Sequence, residues 1–491
     1  MDKYALLRQL FGHDRFRPGQ ENLIDALLEG KDVMGVMPTG AGKSMCYQIP
    51  ALLSEGVALV ISPLISLMKD QVMNLCQAGV PAAYLNSSLT YPQYCEALRR
   101  ACLGAYKIIY VAPERLTTPG FLHFARTVPI SMVAVDEAHC VSQWGQDFRP
   151  SYLKIPEFLD KLPRRPAVAA FTATATKTVR ADIVRLLQLH DPVSVTTGFD
   201  RENLYFSVFR PDDKKAALLQ LLESRRGRSG IVYCATRKAV EQICQLLCDH
   251  GYEATRYHAG LEEDERRRNQ EDFSFDRKAV MIATNAFGMG IDKSNVSYVI
   301  HYNMPKNPES YYQEAGRAGR DGSPAECILL FSRGDVHTAR YLIENSGDNP
   351  ELTAQQLQHL REQDRKRLDA MVDYCSTGSC LRTFLLRYFG EQRTDRCGHC
   401  GNCDGISLDL RLSAPAETPS DLLTILRRVR KELADEYNIP PYMVFSNAVL
   451  ERMAASHPTT MDGLLKVSGI GTVKAHKYGH RFLDAIRSHL N

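Results

Sequence analysis

The chain has almost no net charge, a single tryptophan and no long apolar run. Across 491 residues, 60 lysines and arginines stand against 57 aspartates and glutamates, a formal net charge of +3. A balance this even excludes global electrostatic attraction as the basis of nucleic-acid binding, which has to come from local patches. No apolar stretch reaches the roughly 20 residues a bilayer-spanning helix needs, and the opening MDKYALLRQLFG has no apolar signal core. The expectation is a soluble, cytoplasmic chain without membrane contact. Fourteen cysteines are present but dispersed, which excludes a disulfide-stapled mini-domain and fits a reducing compartment. What the chain does have is core: 44% of its residues are hydrophobic, enough for about three or four domains.

The stretch DVMGVMPTGAGKSMCYQIP, residues 32–50, carries the first chemistry. Val33, Met34, Val36 and Met37 read as a short buried strand, and Gly42 onward as a helix that Pro50 ends. Between them, Thr39, Gly40 and Gly42 form a loop whose N–H groups can turn inward around a phosphate at the positive end of the helix. Lys43 supplies a point charge to the β/γ-phosphates and Ser44 a hydroxyl to Mg²⁺. The first position of the G-x-x-x-x-G-K-[ST] pattern is Met37, but the residues that carry the phosphate chemistry are in place. Upstream, residues 21–28 read as an amphipathic helix, with His13, Arg17 and Gln20 in or beside the loop leading into it. An amide can pair donor and acceptor with an adenine edge, and a guanidinium or imidazole can stack on a base.

Further on, an apolar run over residues 132–135 ends in DEAH. Asp136 is placed to hold the water shell of Mg²⁺, and Glu137 to orient and deprotonate the attacking water. The loop that follows, HCVSQWGQDFRP, contains Gln143, Trp144, Phe148 and Arg149. Aromatic faces beside a hydrolytic glutamate suit base stacking on a single strand, with a locally packed apolar plug as the plain alternative. The composition shifts near residues 191–201. Beyond it, GIVYCATRK, YHAGL and AVMIATNAFGMGID again show apolar runs meeting polar turns, a second α/β unit without its own GKS. In YYQEAGRAGRDG, Gln313, Arg317 and Arg320 are read on one helical face, beside Gly316 and Gly319, from which arginines could reach a γ-phosphate.

A charged helical region follows, and then a C-x₂-C-x₂-C run at Cys397, Cys400 and Cys403, with Cys380 one helix upstream. Four thiolates suit a structural Zn²⁺, with an iron–sulfur cluster as the other metal option and His399 and Cys375 as rival ligands. A short segment rich in Pro and small residues, DGISLDLRLSAPAETP, then separates the cysteines from a compact helical stretch. Ser420 is read as the cap of its first helix, Pro440 and Pro441 as a break, and Gly469 and Gly471 as a tight turn.

The set FRPGQ, MPTGAGKS, SPLISLMKDQ, APERL, DEAHCVSQWGQDFRP, FTATAT, AFGMGIDK and QEAGRAGRDG resembles the RecQ family of superfamily 2 DNA helicases over about the first 335 residues. The resemblance implies an α/β fold: two tandem RecA-like P-loop domains, residues 1–198 and 199–337. It further implies a helical zinc-binding module (338–404), a linker (405–417) and a small all-α bundle (418–491) similar to the helicase-and-RNase-D C-terminal (HRDC) domain. It implies ATP, Mg²⁺ and Zn²⁺ as cofactors, with His13, Arg17 and Gln20 as the adenine pocket and Thr39, Gly40, Gly42, Lys43, Ser44 and Asp292 around the nucleotide. It makes Arg320 the arginine finger with Arg317 its neighbour, the tryptophan loop a DNA sensor, and Cys380 the fourth zinc ligand. Tyr442 and Lys474 are the expected DNA contacts of the last domain, although a partner-binding bundle is an open alternative. The winged helix common in the family has no room between the zinc module and the last domain. The implied activity is 3′-to-5′ DNA unwinding in repair and recombination. The implied partners are single-stranded and tailed or forked DNA and a single-strand-binding protein, the enzyme acting as a monomer.

Overall fold

In the computed structural model, residues 2–38, 40–142, 148–287, 293–345, 354–393, 395–406 and 421–490 are described. The apolar runs of the first part become seven strands: β1 (Val33–Val36), β2 (Val57–Ile61), β3 (Ala82–Leu85), β4 (Ile108–Val111), β5 (Ile130–Val135), β6 (Ala167–Thr172) and β7 (Val193–Thr196). They form one sheet in the order β3-β4-β2-β5-β6-β1-β7, with every pairing parallel. Runs such as VALVI and AVAAFT are apolar throughout because a parallel sheet is covered on both faces. Alternate residues of β2 feed opposite cores, Leu59 and Ile61 on one side and Ala58 and Val60 on the other.

A second sheet holds β8 (Leu204–Phe209), β9 (Gly230–Tyr233), β10 (Ala254–Tyr257), β11 (Val280–Ala283), β12 (Tyr298–His301) and β13 (Ala325–Leu330). Its order is β10-β11-β9-β12-β13-β8, again parallel throughout. Both lobes are RecA-like. The helices Ala354–Ser376 and Leu381–Tyr388 pack on the second lobe, where Tyr374 meets Tyr311 hydroxyl to hydroxyl at 3.2 Å and Cys400 bridges to Phe206 of β8. The helices Asp421–Tyr437, Asn447–Ser456 and Thr472–Leu490 enclose a separate core that includes Leu426, Leu433, Phe445 and Phe482.

Two sequence expectations change. The helix after the phosphate loop does not stop at Pro50 but runs over Lys43–Leu53. An interior proline costs about 3 kcal/mol; here burial of Ile49 against Leu6, Leu7 and Ile24 holds the last turn down. Nor do Arg317 and Arg320 lie on a helix, which ends at Ala315. Gly319 takes φ +55, and a Cβ there would come within 2.5 Å of Asn203 Nδ2, so the chain turns rather than continuing helical.

Candidate functional site

The phosphate loop leaves the carboxyl end of β1, the edge at which parallel α/β sheets bind ligands. Gly40 and Gly42 have φ +84 and +82, and a Cβ would fall 2.9 Å from Arg201 Nη1 at the first and 2.5 Å from Gln20 Nε2 at the second. Glycine is thus required for the angle, and a Cβ at either position would in addition displace the end of the Arg201 or Gln20 side chain. The turn delivers Lys43 and Ser44 to the start of the following helix, where unpaired N–H groups favour an anion.

Two strands away, β5 ends and the Asp136 amide donates to Ile61 O at 2.9 Å. Glu137 then takes φ +48, an uncommon angle for a non-glycine residue. Its neighbour His139 pairs its Nδ1 with Thr172 Oγ1 at 2.9 Å, linking DEAH to the end of β6. Burial works against the charged form of Glu137. The facing cations Lys43, His139, Arg317 and Arg320 outweigh it and hold the carboxyl below its usual range. Lys43 comes from the first lobe and the two arginines from the second, so the carboxylate sits in a field both lobes create.

These groups line one cavity of about 680 Å³, within the ~300–1,000 Å³ of ordinary ligand clefts. Lys43, Ser44, Asp136 and Glu137 face Gln313, Arg317 and Arg320 across it, and His13, Arg17, Gln20, Gly40 and Gly42 lie at the first-lobe side. Glu137 Oε2 and Arg317 Nε are buried with no hydrogen-bond partner among the described residues. Such atoms fit a cleft that receives a triphosphate and its water. Ser44 and Asp136, both lining the cavity, would hold Mg²⁺, which supplies neutralisation of phosphate charge. Gln20 is committed within the protein: its Oε1 accepts from the Arg17 amide at 2.8 Å, and its Nε2 donates to Ala41 O and Gly42 O at 3.1 Å each. As it stands it steadies the phosphate loop. Burial first, then the charges of Arg17 and Arg452, pushes the His13 imidazole down from its ordinary value, favouring the neutral ring.

Thr39, Gln143, Trp144, Gln146 and Asp292 lie outside the described residues, as do Ser420 and most of the expected linker. Phe148 and Arg149 are half-buried, and Arg149 donates to Pro63 O at 3.2 Å, tying the far end of the tryptophan loop to the segment after β2.

The last helical domain closes over this cleft, which nothing in the local sequence signals. The Gly469 amide donates to Gly12 O at 2.8 Å, and Lys477 Nζ and Tyr478 Oη donate to Gln77 Oε1 at 2.9 and 3.0 Å. On the second lobe, the Ala448 amide donates to Asp321 Oδ2 at 3.2 Å. Arg452, Ser468, Gly469, Gly471 and Lys474 join the cavity lining. Lys474 donates to Met443 O at 2.5 Å and is pushed down to about 8 by burial and by Lys477. Tyr442 is 7% exposed beneath Lys293, 5.7 Å from the ring centre. Of the two residues expected to touch DNA, Tyr442 packs into its own domain's core with Lys293 of the second lobe over its ring, and Lys474 bonds within its own domain while lining the cleft.

Behind the second lobe, Cys380, Cys397, Cys400 and Cys403 bring their sulfurs within 4.8 Å of one another. The Cys397–Cys403 and Cys380–Cys400 separations are 3.8 and 3.9 Å. A tetrahedral zinc with bonds of about 2.3 Å sets its sulfurs about 3.8 Å apart. Amides of Thr383 and Cys397 each donate to Cys380 Sγ at 3.4 Å; burial opposes the thiolate, but these donors bring Cys380 down to about 6. The rivals stand apart: His399 packs edge-on to Tyr205, and Cys375 is a buried thiol raised by desolvation. The donor set fits zinc.

Two RecA-like lobes with a phosphate-loop lysine on one and arginines on the other, facing a shared cleft, define a helicase-type ATPase motor. Comparison with known proteins agrees. Residues 17–181 match the DEAD/DEAH box helicase family, 213–322 the helicase conserved C-terminal domain, 333–404 the RecQ zinc-binding family and 420–486 the HRDC domain. The chain is 39% identical to the ATP-dependent DNA helicase RecQ of Bacillus subtilis (strain 168), covering 99% of this chain and 98% of that one. It is 34% identical to the protein of that name from Pasteurella multocida (strain Pm70), covering 99% and 93%. The chain belongs to the RecQ family and is an ATP-hydrolysing helicase. The Bacillus alignment runs over 589 positions, more than this chain's 491 residues, so part of it lies opposite gaps here. Among solved structures, the DEAD-box helicase Mss116 bound to ssRNA and UDP-BeF has a TM-score of 0.58 at 16% identity, over 79% of this chain and 90% of that one. S. cerevisiae Dbp5 bound to RNA and ADP BeF3 has 0.51 at 20%, over 72% and 94%. Both are likenesses of fold.

Proposed function

We propose that the protein hydrolyses ATP between its lobes to move 3′-to-5′ along single-stranded DNA and separate the duplex ahead, on tailed and forked intermediates of repair and recombination. The observation that carries this reading is the field at Glu137, built by Lys43 from one side and Arg317 and Arg320 from the other. Hydrolysis needs the lobes together and product release lets them part, which converts turnover into relative motion. Asp136 and Ser44 hold Mg²⁺, Glu137 takes the proton of the attacking water, and Arg320 and Arg317 stabilise charge on the transferring phosphoryl group. Gln143, Trp144, Phe148 and Arg149 grip the strand, and Thr39 and Asp292 complete the nucleotide surroundings. The division into 1–198, 199–337, 338–404, a linker and 418–491 belongs to this proposal, as do a monomeric state, a cytoplasmic location and cooperation with a single-strand-binding protein. No helix among the described residues is long and apolar enough to cross a membrane.

The test is Glu137→Gln. Loss of a general base costs on the order of 10²–10⁴ in rate, so DNA-stimulated turnover falls by that much while fluorescent-nucleotide titration gives an unchanged ATP affinity. Turnover near wild type means another group activates the water. A second reading follows from the alignment gaps and the short segment after the cysteines: a translocase or annealing factor that unwinds weakly for want of a winged helix. Robust unwinding of a 3′-tailed duplex rules that version out, and equal stimulation by RNA and DNA would point to an RNA substrate.

A further inference from the structure

The segment joining the lobes carries a guanidinium that no motif above accounts for. Arg201 lies three residues before β8, largely shielded from solvent. Its Nη2 donates to Ala318 O at 3.1 Å and Gly319 O at 2.7 Å, its Nη1 to Gly316 O at 3.3 Å, and its Nε to Asn203 Oδ1 at 3.2 Å. Asn203 reinforces the same turn, donating to Gly319 O at 2.9 Å and Ser323 O at 2.8 Å. These carbonyls interleave with Arg317 and Arg320, in a stretch that has left the helix and whose amides are held by turn bonds, Arg317 N–H to Glu314 O at 3.2 Å and Ala318 N–H to Ala315 O at 3.0 Å, while the carbonyls Arg201 takes face the inter-lobe segment. On its other side the guanidinium meets the first lobe, where Nη1 stands 2.9 Å from the place a Cβ on Gly40 would take. Its backbone is fixed as well, since Arg382 donates to Arg201 O at 2.7 Å and to Asp200 Oδ1 at 2.6 Å. One side chain thus touches both the phosphate loop and the turn that carries the arginines.

We propose that Arg201 is a positioning residue for ATP hydrolysis: it clips the Gly316–Gly319 backbone so that Arg317 and Arg320 face the triphosphate, and by resting on Gly40 it passes displacement of the phosphate loop to that turn. The planar fork suits the task. Three carbonyls at different angles are reached by a guanidinium but not by one ammonium. A misplaced catalytic group costs on the order of a hundredfold in rate, whereas the ground-state nucleotide is held by the amides of the phosphate loop and by Lys43. The inference rests on Arg317 and Arg320 acting at the γ-phosphate, so that reading is tested beside it.

In the full-length protein, Arg201→Ala, Arg201→Lys, Asn203→Ala, Arg320→Ala and Arg201→Ala/Arg320→Ala are compared by DNA-stimulated ATPase, fluorescent-nucleotide titration and thermal melting. Expected is a roughly tenfold to hundredfold fall in kcat for Arg201→Ala, with nucleotide affinity unchanged, no rescue by lysine, and a double variant no slower than Arg320→Ala alone. A folded Arg201→Ala with normal kcat, losses that multiply in the double variant, or an equal loss of nucleotide affinity overturns the proposal. Arg320→Ala with wild-type turnover overturns the finger reading and this inference with it. Arg320→Ala slow beside a normal Arg201→Ala overturns this inference alone. Should Arg201→Ala not fold, Arg201→Lys and Asn203→Ala decide by the same criteria, since each loosens the same turn.

Discussion

Glu137 is buried yet charged, and the cations responsible belong to different lobes. With its carboxyl held below the usual range, the base stays ionised at neutral pH and well into acid, so the acid limb of the ATPase profile lies below the ordinary carboxylate value. Removing one cation lets burial reassert itself. In Arg320→Ala the residual activity therefore shows its acid limb moved up in pH, read from kcat/KM against pH, which reports the free enzyme. Asp32, at the foot of β1, shows the same balance in a structural role. Burial opposes its charge, but Arg165 at 2.7 Å and the amides of His190 and Val168 win and lower its pKa. A depressed carboxylate gives its full stabilisation above the unfolded value and loses it as pH falls through the folded one. Asp32→Ala strands a partly buried guanidinium and two amides, at about 3 kcal/mol. The shift in urea midpoint is expected to be the same at pH 7 and pH 5, because both lie above the unfolded value.

At the scale of elements, legibility in the sequence followed how local the chemistry is. A phosphate loop must place glycines, lysine and hydroxyl within a few consecutive residues, and DEAH must sit at a strand end, so contiguous motifs reveal them. The finger turn was legible in composition but not in shape: spacing of three and four suggested a helix, and only the packing of Gly319 against Asn203 breaks it. Pro50 misled for the converse reason, since tertiary burial keeps a helix going through it. Arg201 falls in none of the motifs above, and the composition shift near residues 191–201 marks a boundary without marking its role. The cysteine cluster was legible as spacing, but its mechanical attachment was not. Cys400 bridges to β8 and Arg382, two residues past Cys380, holds the inter-lobe segment. Chelating the zinc, or Cys400→Ser, is therefore expected to release one metal per chain and to lower the melting temperature of the second lobe while the first is spared. Hydrogen exchange in β8 against β1 checks it.

At the scale of the whole molecule, the last domain is part of the nucleotide cleft rather than an appendage. It reaches the first lobe at Gly12 and Gln77 and the second at Asp321, so it spans the two bodies whose separation the motor needs. No periodicity or motif could announce this, because it depends on where a distant linker lets the domain settle. Two consequences follow from the geometry. Opening of the cleft competes with docking, and the Tyr442 ring, proposed to meet DNA, is freed from Lys293 of the second lobe only when the domain leaves. Gly12 is the place to separate the states: it has φ +69, and a Cβ there would come 2.3 Å from the Ile470 carbonyl carbon. Alanine at this φ strains the first lobe's own turn by about 1 kcal/mol, and docking in addition meets backbone. The variant is expected to have a larger radius of gyration by solution scattering. ATP affinity should be weaker on the order of tenfold, about 1.4 kcal/mol, from loss of the domain's share of the cleft. Single-strand binding that depends on Tyr442 should be stronger, so that Tyr442→Ala weakens it in the Gly12→Ala background and leaves it unchanged in the docked wild type. An unaltered radius with unaltered ATP affinity would mean the docked arrangement does not govern the enzyme in solution.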